Sequence, residues 1–431
     1  MIFRLSTATA RILLLPIAVA LAALLAYSSI RNALAAHYAG VNTLEGFERA
    51  TRLEPSDANN WYLLGRYWQY NLEDPNSEKA ITAYRKALAL DAHSADTWSD
   101  LAMAYESQDN PAAARDAFMQ AKRAYPLSPE VAWRFGNFLL RHGELDAAFA
   151  EMRHAVELDP QRGAAAFALC MRVNPDMDQV LDRVLPPSQL AYLSVITALT
   201  EQQRTGQALQ VWNFLIKLHP HIDLRDSTAL IQGLLQKNQM GEAEQVWEQT
   251  IAAAGLVRPP DPPGSLVWDG GFESNVNNAA LSWRYLSFSN DVQIARDSRE
   301  KHSGNFSLRL TFNGLRNVDF RDVCQDIAVQ PDTSYFFSAW VQTREISTDE
   351  GVRFGLQSIG NSGSSTAWSD DVRGTEPWTP IRLPWRSGPN IRHLHLCISR
   401  RPSAKFDSKI GGYAWIDDVA LLPEAPESAP R

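Results

Sequence analysis

The sequence predicts a multidomain protein of the α plus β class, with an apolar N-terminal helix, a helical repeat array and a C-terminal antiparallel β-sandwich. Three observations predict this organisation. A run of 19 uncharged residues separates Arg11 from Arg31, and a helical pattern then recurs at intervals of 34 to 37 residues. Beyond a Pro-rich segment at residues 257–265, apolar and polar residues alternate in short runs instead.

Length and composition limit the classes of protein that need to be considered. At about 100–200 residues per domain, a chain of 431 residues predicts two or three domains. Its 45% hydrophobic and 21% charged residues are typical of globular proteins, and the net charge of −8 gives no basic surface for nucleic acid. The three cysteines lack zinc-binding spacing, and Cys170 in an Ala-rich helical stretch is predicted to be a core residue.

The apolar run at residues 12–30 is predicted to be a transmembrane anchor. A helix rises about 1.5 Å per residue and needs roughly 20 apolar residues to cross the hydrocarbon core. Because Arg4 and Arg11 precede the run, residues 1–11 are predicted to be cytoplasmic and the rest of the chain to lie outside. A cleaved signal peptide is the alternative, since an Ala-rich stretch follows at residues 33–36. Both interpretations export the rest of the chain.

Residues 41–255 are predicted to form five to six helix pairs. The pairs are separated by breaks at intervals of 37, 34 and 34 residues, at Pro55, Ala92, Pro126 and Pro160. Trp61, Leu64 and Gly65 fit a W-x-x-L-G pattern, and this part of the chain resembles the tetratricopeptide repeat. The resemblance implies an α-solenoid with a groove for a protein partner. A small residue at the Gly position lets two helices approach closely.

The C-terminal part is predicted to begin after a stiff linker. The linker occupies residues 256–265, the sandwich of eight to ten strands occupies residues 266–422, and a disordered tail occupies residues 423–431. The segments LVWDGGFESN, HSGNFSLRL, VQPDTSYFFSAWV and YAWIDDVALL occur in this order. Together they resemble a carbohydrate-binding jelly roll of the family 4/9 type, within the galactose-binding-like superfamily.

The resemblance implies two kinds of site. Its members often hold a structural calcium between the first and last strands, and the matching positions are Glu273 and Asp418; the alternative is a solvated acidic pair at the strand end. A polysaccharide site needs exposed rings with polar neighbours. The candidates are Trp368, Tyr285, Trp283, Arg284, Arg321 and Asp322. The alternatives are aromatic residues that only cap the sandwich, and a sandwich that serves as a spacer or a protein-docking surface.

Two further pairs of residues lie in strand-like segments. Cys324 and Cys397 either form one disulfide in an exported domain or remain two buried thiols. His393 and His395 alternate on one strand face, which suits a metal, but the sequence shows no third ligand. We find no GxSxG, HExxH, phosphate-binding Gly loop or dinucleotide motif, so no enzyme is predicted, and structural calcium is the one cofactor implied.

The predicted function is a non-enzymatic, single-pass scaffold of the bacterial inner membrane, with its bulk in the periplasm. Its repeats would bind a protein and its sandwich a polysaccharide, in envelope or exopolysaccharide assembly. One alternative is a scaffold in which both parts bind only proteins. A weaker alternative is a glycan hydrolase, which needs two carboxylates about 5 to 10 Å apart in a cleft.

Overall fold

The computed structural model describes residues 8–286, 290–360 and 363–424. It divides into two compact units, Met1–Ala191 and Tyr192–Arg431. The Pro-rich segment therefore lies inside the second unit, which combines the last helices with the β-sandwich. One reason is local packing, because the rings of Trp247 and Trp268 meet edge to face at 5.6 Å across this segment. The predictions for residues 1–7 and for most of the C-terminal tail fall outside the described residues.

Helix α1, Ala8–Gly40, contains the predicted anchor and extends beyond it. Leu14–Gly40 is long and apolar enough to cross a membrane, and its apolar stretch is not buried against the rest of the chain. A signal sequence satisfies the same criterion. No helix-breaking residue lies between Arg31 and Ala39, so the helix continues until Ala35 and Ala39 are buried near α2. Helical packing thus begins before residue 41.

Thirteen shorter helices follow within the described residues, with a short 3-10 helix at Pro160–Arg162. They are α2 Leu44–Leu53, α3 Ala58–Tyr70, α4 Ser77–Leu90, α5 Ala95–Ser107, α6 Pro111–Ala124, α7 Pro129–Arg141, α8 Leu145–Leu158, α9 Gly163–Val173, α10 Met177–Val184, α11 Gln189–Glu201, α12 Thr205–Lys217, α13 Thr228–Gln236 and α14 Met240–Ala253. Consecutive helices pack as pairs, notably α3 with α4, α5 with α6 and α7 with α8. The predicted helical repeats are confirmed.

The ends of these helices explain why the repeat motif recurs. Polar side chains cap the N-termini of five successive helices, at Asp57, Asn76, Ser94, Asn110 and Ser128. In each of the first two repeats, the tryptophan near the start of the first helix forms a hydrogen bond with the turn that precedes the helix. Trp61 Nε1 donates to the carbonyl of Pro55, and Trp98 Nε1 donates to the carbonyl of Ala92, both at 2.9 Å. The motif therefore fixes the turn as well as the core.

Gly65 provides a test of the predicted close approach of two helices. A Cβ atom at this position would lie 2.6 Å from the ring of the buried Tyr84. We expect Gly65→Ala to lower the free energy of unfolding of the helical part by about 1–3 kcal/mol, because the ring has to move. Gly241→Ala is the matched control, since no atom lies within 4 Å of its Cβ position. Thermal unfolding followed by far-UV circular dichroism measures both; equal melting temperatures for the two variants would refute the packing argument.

Ten strands form the C-terminal sandwich within the described residues. They are β1 Arg284–Tyr285, β2 Val292–Asp297, β3 Ser307–Asn313, β4 Phe320–Ala328, β5 Ser334–Ile346, β6 Arg353–Gly360, β7 Gly363–Trp368, β8 Gly374–Arg386, β9 His393–Arg400 and β10 Gly411–Pro423. One sheet has the order β1-β4-β9-β6-β7 and the other has the order β2-β3-β10-β5-β8. Neighbouring strands are antiparallel. The predicted antiparallel β-sandwich is confirmed.

The core of the sandwich lies between the two sheets, as the alternation of residue types predicts. Leu394, Leu396 and Ile398 of β9 point into it, together with Phe354 and Leu356 of β6. The intervening residues of these strands consequently point away from the core. We call this surface of the β1-β4-β9-β6-β7 sheet the outer face.

Candidate functional site

One row of residues crosses the whole outer face, strand by strand. Cross-strand pairing places Arg284 beside Cys324, Cys324 beside Cys397, Cys397 beside Gly355, and Gly355 beside Trp368. With neighbouring strands about 4.8 Å apart, the row extends over roughly 19 Å. Its ends are a guanidinium and an indole, and the three residues between them are small. The row therefore has a large side chain at each end, and the indole reaches back over Gly355.

Cys324 and Cys397 are bridged by a disulfide at the middle of this row. Their sulfur atoms and a ring nitrogen of His395 all lie within 4.8 Å of one another. The bridged sulfurs offer no thiolate, so this trio is not a metal site in the oxidised protein. Cys170 is a buried free thiol, as predicted.

A second row carries hydrogen-bonding groups beside the first. Asp326, His395, Gln357 and Thr366 pair across β4, β9, β6 and β7. Asp326 Oδ1 lies 2.7 Å from His395 Nδ1 and 2.8 Å from His393 Nε2, while Oδ2 accepts a hydrogen bond from Arg284. Burial disfavours the charged form of Asp326, but the histidines and the guanidinium outweigh it and hold the pKa of the carboxyl well below its usual range. The second row is a fixed polar network.

Trp368 lies at the far edge of the outer face, on the last strand of the sheet. Its six-membered ring lies over Gly355, where a Cβ atom would come within 2.9 Å of it. Two guanidinium groups also meet this ring, that of Arg401 at 4.4 Å and that of Arg321 at 5.8 Å from its centroid. The ring stays half-buried rather than covered. It combines a π surface with cationic hydrogen-bond donors.

Three of the six predicted sugar-binding residues therefore lie on the outer face: Arg321 near the ring of Trp368, and Arg284 at the opposite end of the row. Trp283 does not, because its side chain is 1% exposed, stacks near Phe272 and donates through Nε1 to the carbonyl of Asp269. We correct its assignment to a core residue.

Tyr285 follows Arg284 on the same short strand and packs against the core, where burial raises its pKa to about 12. Its prediction as a primary ligand contact is corrected in the same way, because successive strand residues point to opposite faces. Asp322 lies at an irregularity in β4 and is half-buried, and its carbonyl accepts a hydrogen bond from Leu286 N. Nothing in these contacts points its carboxylate to the two rows.

Only weak sequence signals mark the residues that the predicted set lacks. The alternation of His393 and His395 suggested a shared function, but their partner Asp326 lies 67 residues from His393. Arg401 directly follows the strand that holds the histidines, with no local motif to mark it. No sequence motif marks Gly355, because the need for glycine there comes from the Trp368 ring, which occupies the space of a Cβ atom.

The carboxylates proposed for calcium gather around the loop at residues 302–306. Glu273 Oε1 accepts hydrogen bonds from Asn305 N at 2.6 Å and Phe306 N at 3.0 Å. Asp418 Oδ2 lies 2.6 Å from His302 Nδ1, and its Oδ1 accepts from the hydroxyl of Ser303 at 2.6 Å. These oxygens face hydrogen-bond donors, whereas calcium needs six to eight oxygen ligands. The arrangement therefore does not fit a calcium cage.

Asp417, which the predicted metal pair leaves out, is the most deeply buried carboxylate of this cluster. Its Oδ2 accepts from the backbone N–H groups of His302 and Ser303, at 2.8 and 3.1 Å. Burial raises its pKa to about 6, against the effect of these hydrogen bonds. Hydrogen bonds thus join the loop to strand β10 directly.

We expect millimolar calcium to leave the thermal stability of the sandwich almost unchanged. An ion at about a hundred times its Kd would stabilise the folded state by about 2.7 kcal/mol and raise the melting temperature visibly. Calorimetry of the full chain in calcium and in EDTA checks this. A calcium-dependent rise that disappears in Glu273→Gln would show instead that the loop rearranges into a metal site.

The helical part has a charge ladder on equivalent positions of three repeats. Arg66, Asp100 and Arg134 follow one another at intervals of 34 residues. Arg134 Nη1 donates to Asp100 Oδ1 at 2.8 Å, and Arg66 Nε lies 3.7 Å from Asp100 Oδ2. The Asp100 side chain is only 3% exposed, whereas the side chains of Arg66 and Arg134 are 52% and 31% exposed, so partly buried ion pairs join the three consecutive repeats.

Comparison with known proteins bears on both parts of the chain. The tetratricopeptide repeat family model matches residues 95–126. The chain is similar to YrrB, a TPR protein with an unusual peptide-binding site, at 17% identity and a TM-score of 0.26 over 49% of this chain and 94% of YrrB. It is similar to PilF of Pseudomonas aeruginosa at 20% identity and a TM-score of 0.26, over 46% and 92% of the two chains.

A third similar structure is the xylan-binding domain of carbohydrate-binding module family 22. It is 15% identical, with a TM-score of 0.27 over 38% of this chain and 97% of that domain. No curated protein sequence matches the chain. Residues 95–126 match the tetratricopeptide repeat within the helical part, and the C-terminal part is a two-sheet β-sandwich with carbohydrate-binding modules among its structural neighbours.

Proposed function

We propose that the protein is a non-enzymatic, membrane-anchored scaffold that binds a polysaccharide on the outer face of its sandwich and a protein partner through its repeats. The observation that carries the polysaccharide part is the Trp368 ring, half-buried at the edge of the face and beside the row of polar groups. A sugar ring can stack on such an indole while its hydroxyls reach side chains such as Gln357 and Thr366.

The arrangement of the two rows supports binding along the sheet. The second row supplies donors and acceptors beside the Trp368 ring, which covers Gly355 of the first row. Asp326 is held by three partners, so its network orients His395 rather than moving with a ligand. A prearranged face of this kind lowers the entropic cost of binding.

The other parts of the proposal rest on α1 and on the repeats. We propose that α1 anchors the chain in the bacterial inner membrane with its N-terminus in the cytoplasm, and that the folded parts lie in the periplasm. An oxidised cysteine pair suits that compartment. The repeats would hold a protein partner there, in envelope or exopolysaccharide assembly.

Trp368→Ala tests the polysaccharide site. We expect it to weaken retention of the full chain, purified in detergent, on polysaccharide affinity gels by about tenfold or more, because stacking on the ring is lost. Xylan, cellulose and polygalacturonate serve as probes. Trp378→Ala is the matched control, since Trp378 is a half-buried tryptophan on the opposite sheet.

Three results would contradict the proposal in different ways. Equal losses in both tryptophan variants would place the ligand elsewhere. No retention of a folded chain on any probe would favour a scaffold that binds only proteins. Shortening of the probe chains during incubation would point to a glycan hydrolase.

A further inference from the structure

We infer that the ligand of the outer face is an acidic polysaccharide, one with carboxylate-bearing sugar units, and that Arg401 is the residue that selects for the charge. This inference rests on the proposed polysaccharide function and adds the chemical class of the ligand. It follows from the charges around Trp368, where two guanidinium groups meet the ring that a sugar would stack on.

Arg401 differs from the other cations of the outer face in having no ionic partner. Arg284 is paired with Asp326, Arg321 with Asp319, and Arg353 with Glu350 and Asp371. Among the described residues, no carboxylate lies within ion-pair distance of Arg401, whose recorded contact is with the Trp368 ring at 4.4 Å. Its five N–H donors are therefore available to an anion beside the ring.

The carboxylates near this end of the face do not cancel that charge. Asp319 is 3.3 Å from Arg321 Nε, and Asp371 lies 3.6 Å from Arg353 and 3.9 Å from Arg373. Asp326, the most buried carboxylate of the face, is paired with Arg284 and lies within hydrogen-bonding distance of its two histidine neighbours. Among the described residues, Arg401 therefore has no carboxylate partner at this edge of the outer face.

A guanidinium beside an aromatic ring suits a uronic acid in particular. The Arg401 guanidinium lies over the indole, 4.4 Å from its centroid, so a sugar that stacks there displaces it toward the ring edge, where it can bind the sugar carboxylate through two parallel hydrogen bonds. A neutral sugar uses the stacking surface but leaves the charge of Arg401 unmatched. The row of residues from Trp368 to Arg284 extends over roughly 19 Å of the outer face, and this length further favours a polymer over a single sugar.

The experiment compares two probes that differ only in charge, polygalacturonate and its methyl-esterified form. Binding of the full chain in detergent is measured by affinity electrophoresis at low and high salt, for wild type, Arg401→Gln and Arg382→Gln. Arg382 is an exposed arginine on the opposite sheet and provides the matched loss of one charge. Melting temperatures confirm that each variant is folded.

We expect wild type to bind polygalacturonate about tenfold or more tightly than the ester, with a preference that falls as salt screens the charges. Arg401→Gln should remove most of this preference and leave binding to the ester unchanged, whereas Arg382→Gln should retain it. Equal binding of the acid, the ester and xylan, unaffected by Arg401→Gln, would overturn the inference and leave the proposed function intact. No binding to any of these probes would count against both.

Discussion

Replacing Arg400 by methionine is expected to lower the free energy of unfolding of the sandwich by about 3–5 kcal/mol. Arg400 is the last residue of β9, is fully buried, and points to the side of the strand opposite to Arg401. Its guanidinium donates to acceptors from three separate loops: Glu350 O, Asn317 Oδ1, Val318 O, Thr348 Oγ1 and Ser408 O. Methionine fills much of the volume but leaves these oxygens without donors.

The measurement is urea unfolding of the full chain followed by tryptophan fluorescence, which is weighted toward the sandwich because seven of the 13 tryptophans lie beyond residue 266. Arg401→Met is the control, because it makes the same change one residue later at a half-buried position, and we expect it to cost less than about 0.5 kcal/mol. Arg400→Lys should recover part of the loss. Similar midpoints for Arg400→Met and Arg401→Met would mean that the three loops hold together without this side chain.

Removing the Cys324–Cys397 disulfide by replacing both residues with alanine should cost about 4 kcal/mol of unfolding free energy. The bridge joins residues 73 apart, so it removes considerable freedom from the unfolded chain. Wild type in reductant should fall to the stability of the double variant, and the double variant should not respond to reductant. The expected loss comes mainly from the unfolded state, so the folded outer face should otherwise stay in place.

Cys170→Ala is the control for this prediction, since it removes the buried thiol that takes no part in the bridge and should keep the response to reductant. Alkylation of the unfolded, unreduced chain gives a second reading. One modified cysteine per chain is expected for protein produced in an oxidising compartment. Three modified cysteines would show that the two strands pair without a covalent bond.

The helical part was predictable because its signals are local. A tryptophan six residues after the break and a glycine four residues later are enough to specify a turn and a close helix contact, and both contacts are present at Trp61 and Gly65. The end of α1 was less predictable, because helical sequence continues without a break from the apolar segment into residues that pack on α2. The 34-residue spacing of Arg66, Asp100 and Arg134 is visible in the sequence. The ion pairs between them, however, depend on how neighbouring repeats pack.

The candidate site was only partly predictable, and the tryptophans show why. Trp283 and Trp368 both follow strand-like segments with small polar neighbours, but one fills the core and the other lies on the outer face. Once the strand is known, alternation predicts that Arg284 and Tyr285 point to opposite faces of the sheet. The direction of the Asp322 side chain cannot be predicted in this way, because the register of β4 is irregular between Phe320 and Val323. Asp326 joins His393 and His395 only because β4 and β9 are neighbours.

The apolar N-terminal helix, the repeat period, the change from helix to strand and the class of β-sandwich follow from the sequence, because each depends on periodicity within a short stretch of chain. Which residues share the outer face, by contrast, depends on how the strands pair. The row from Arg284 to Trp368 and the unpaired charge of Arg401 arise from the pairing of strands far apart in sequence, and that pairing is fixed by burial of the opposite face.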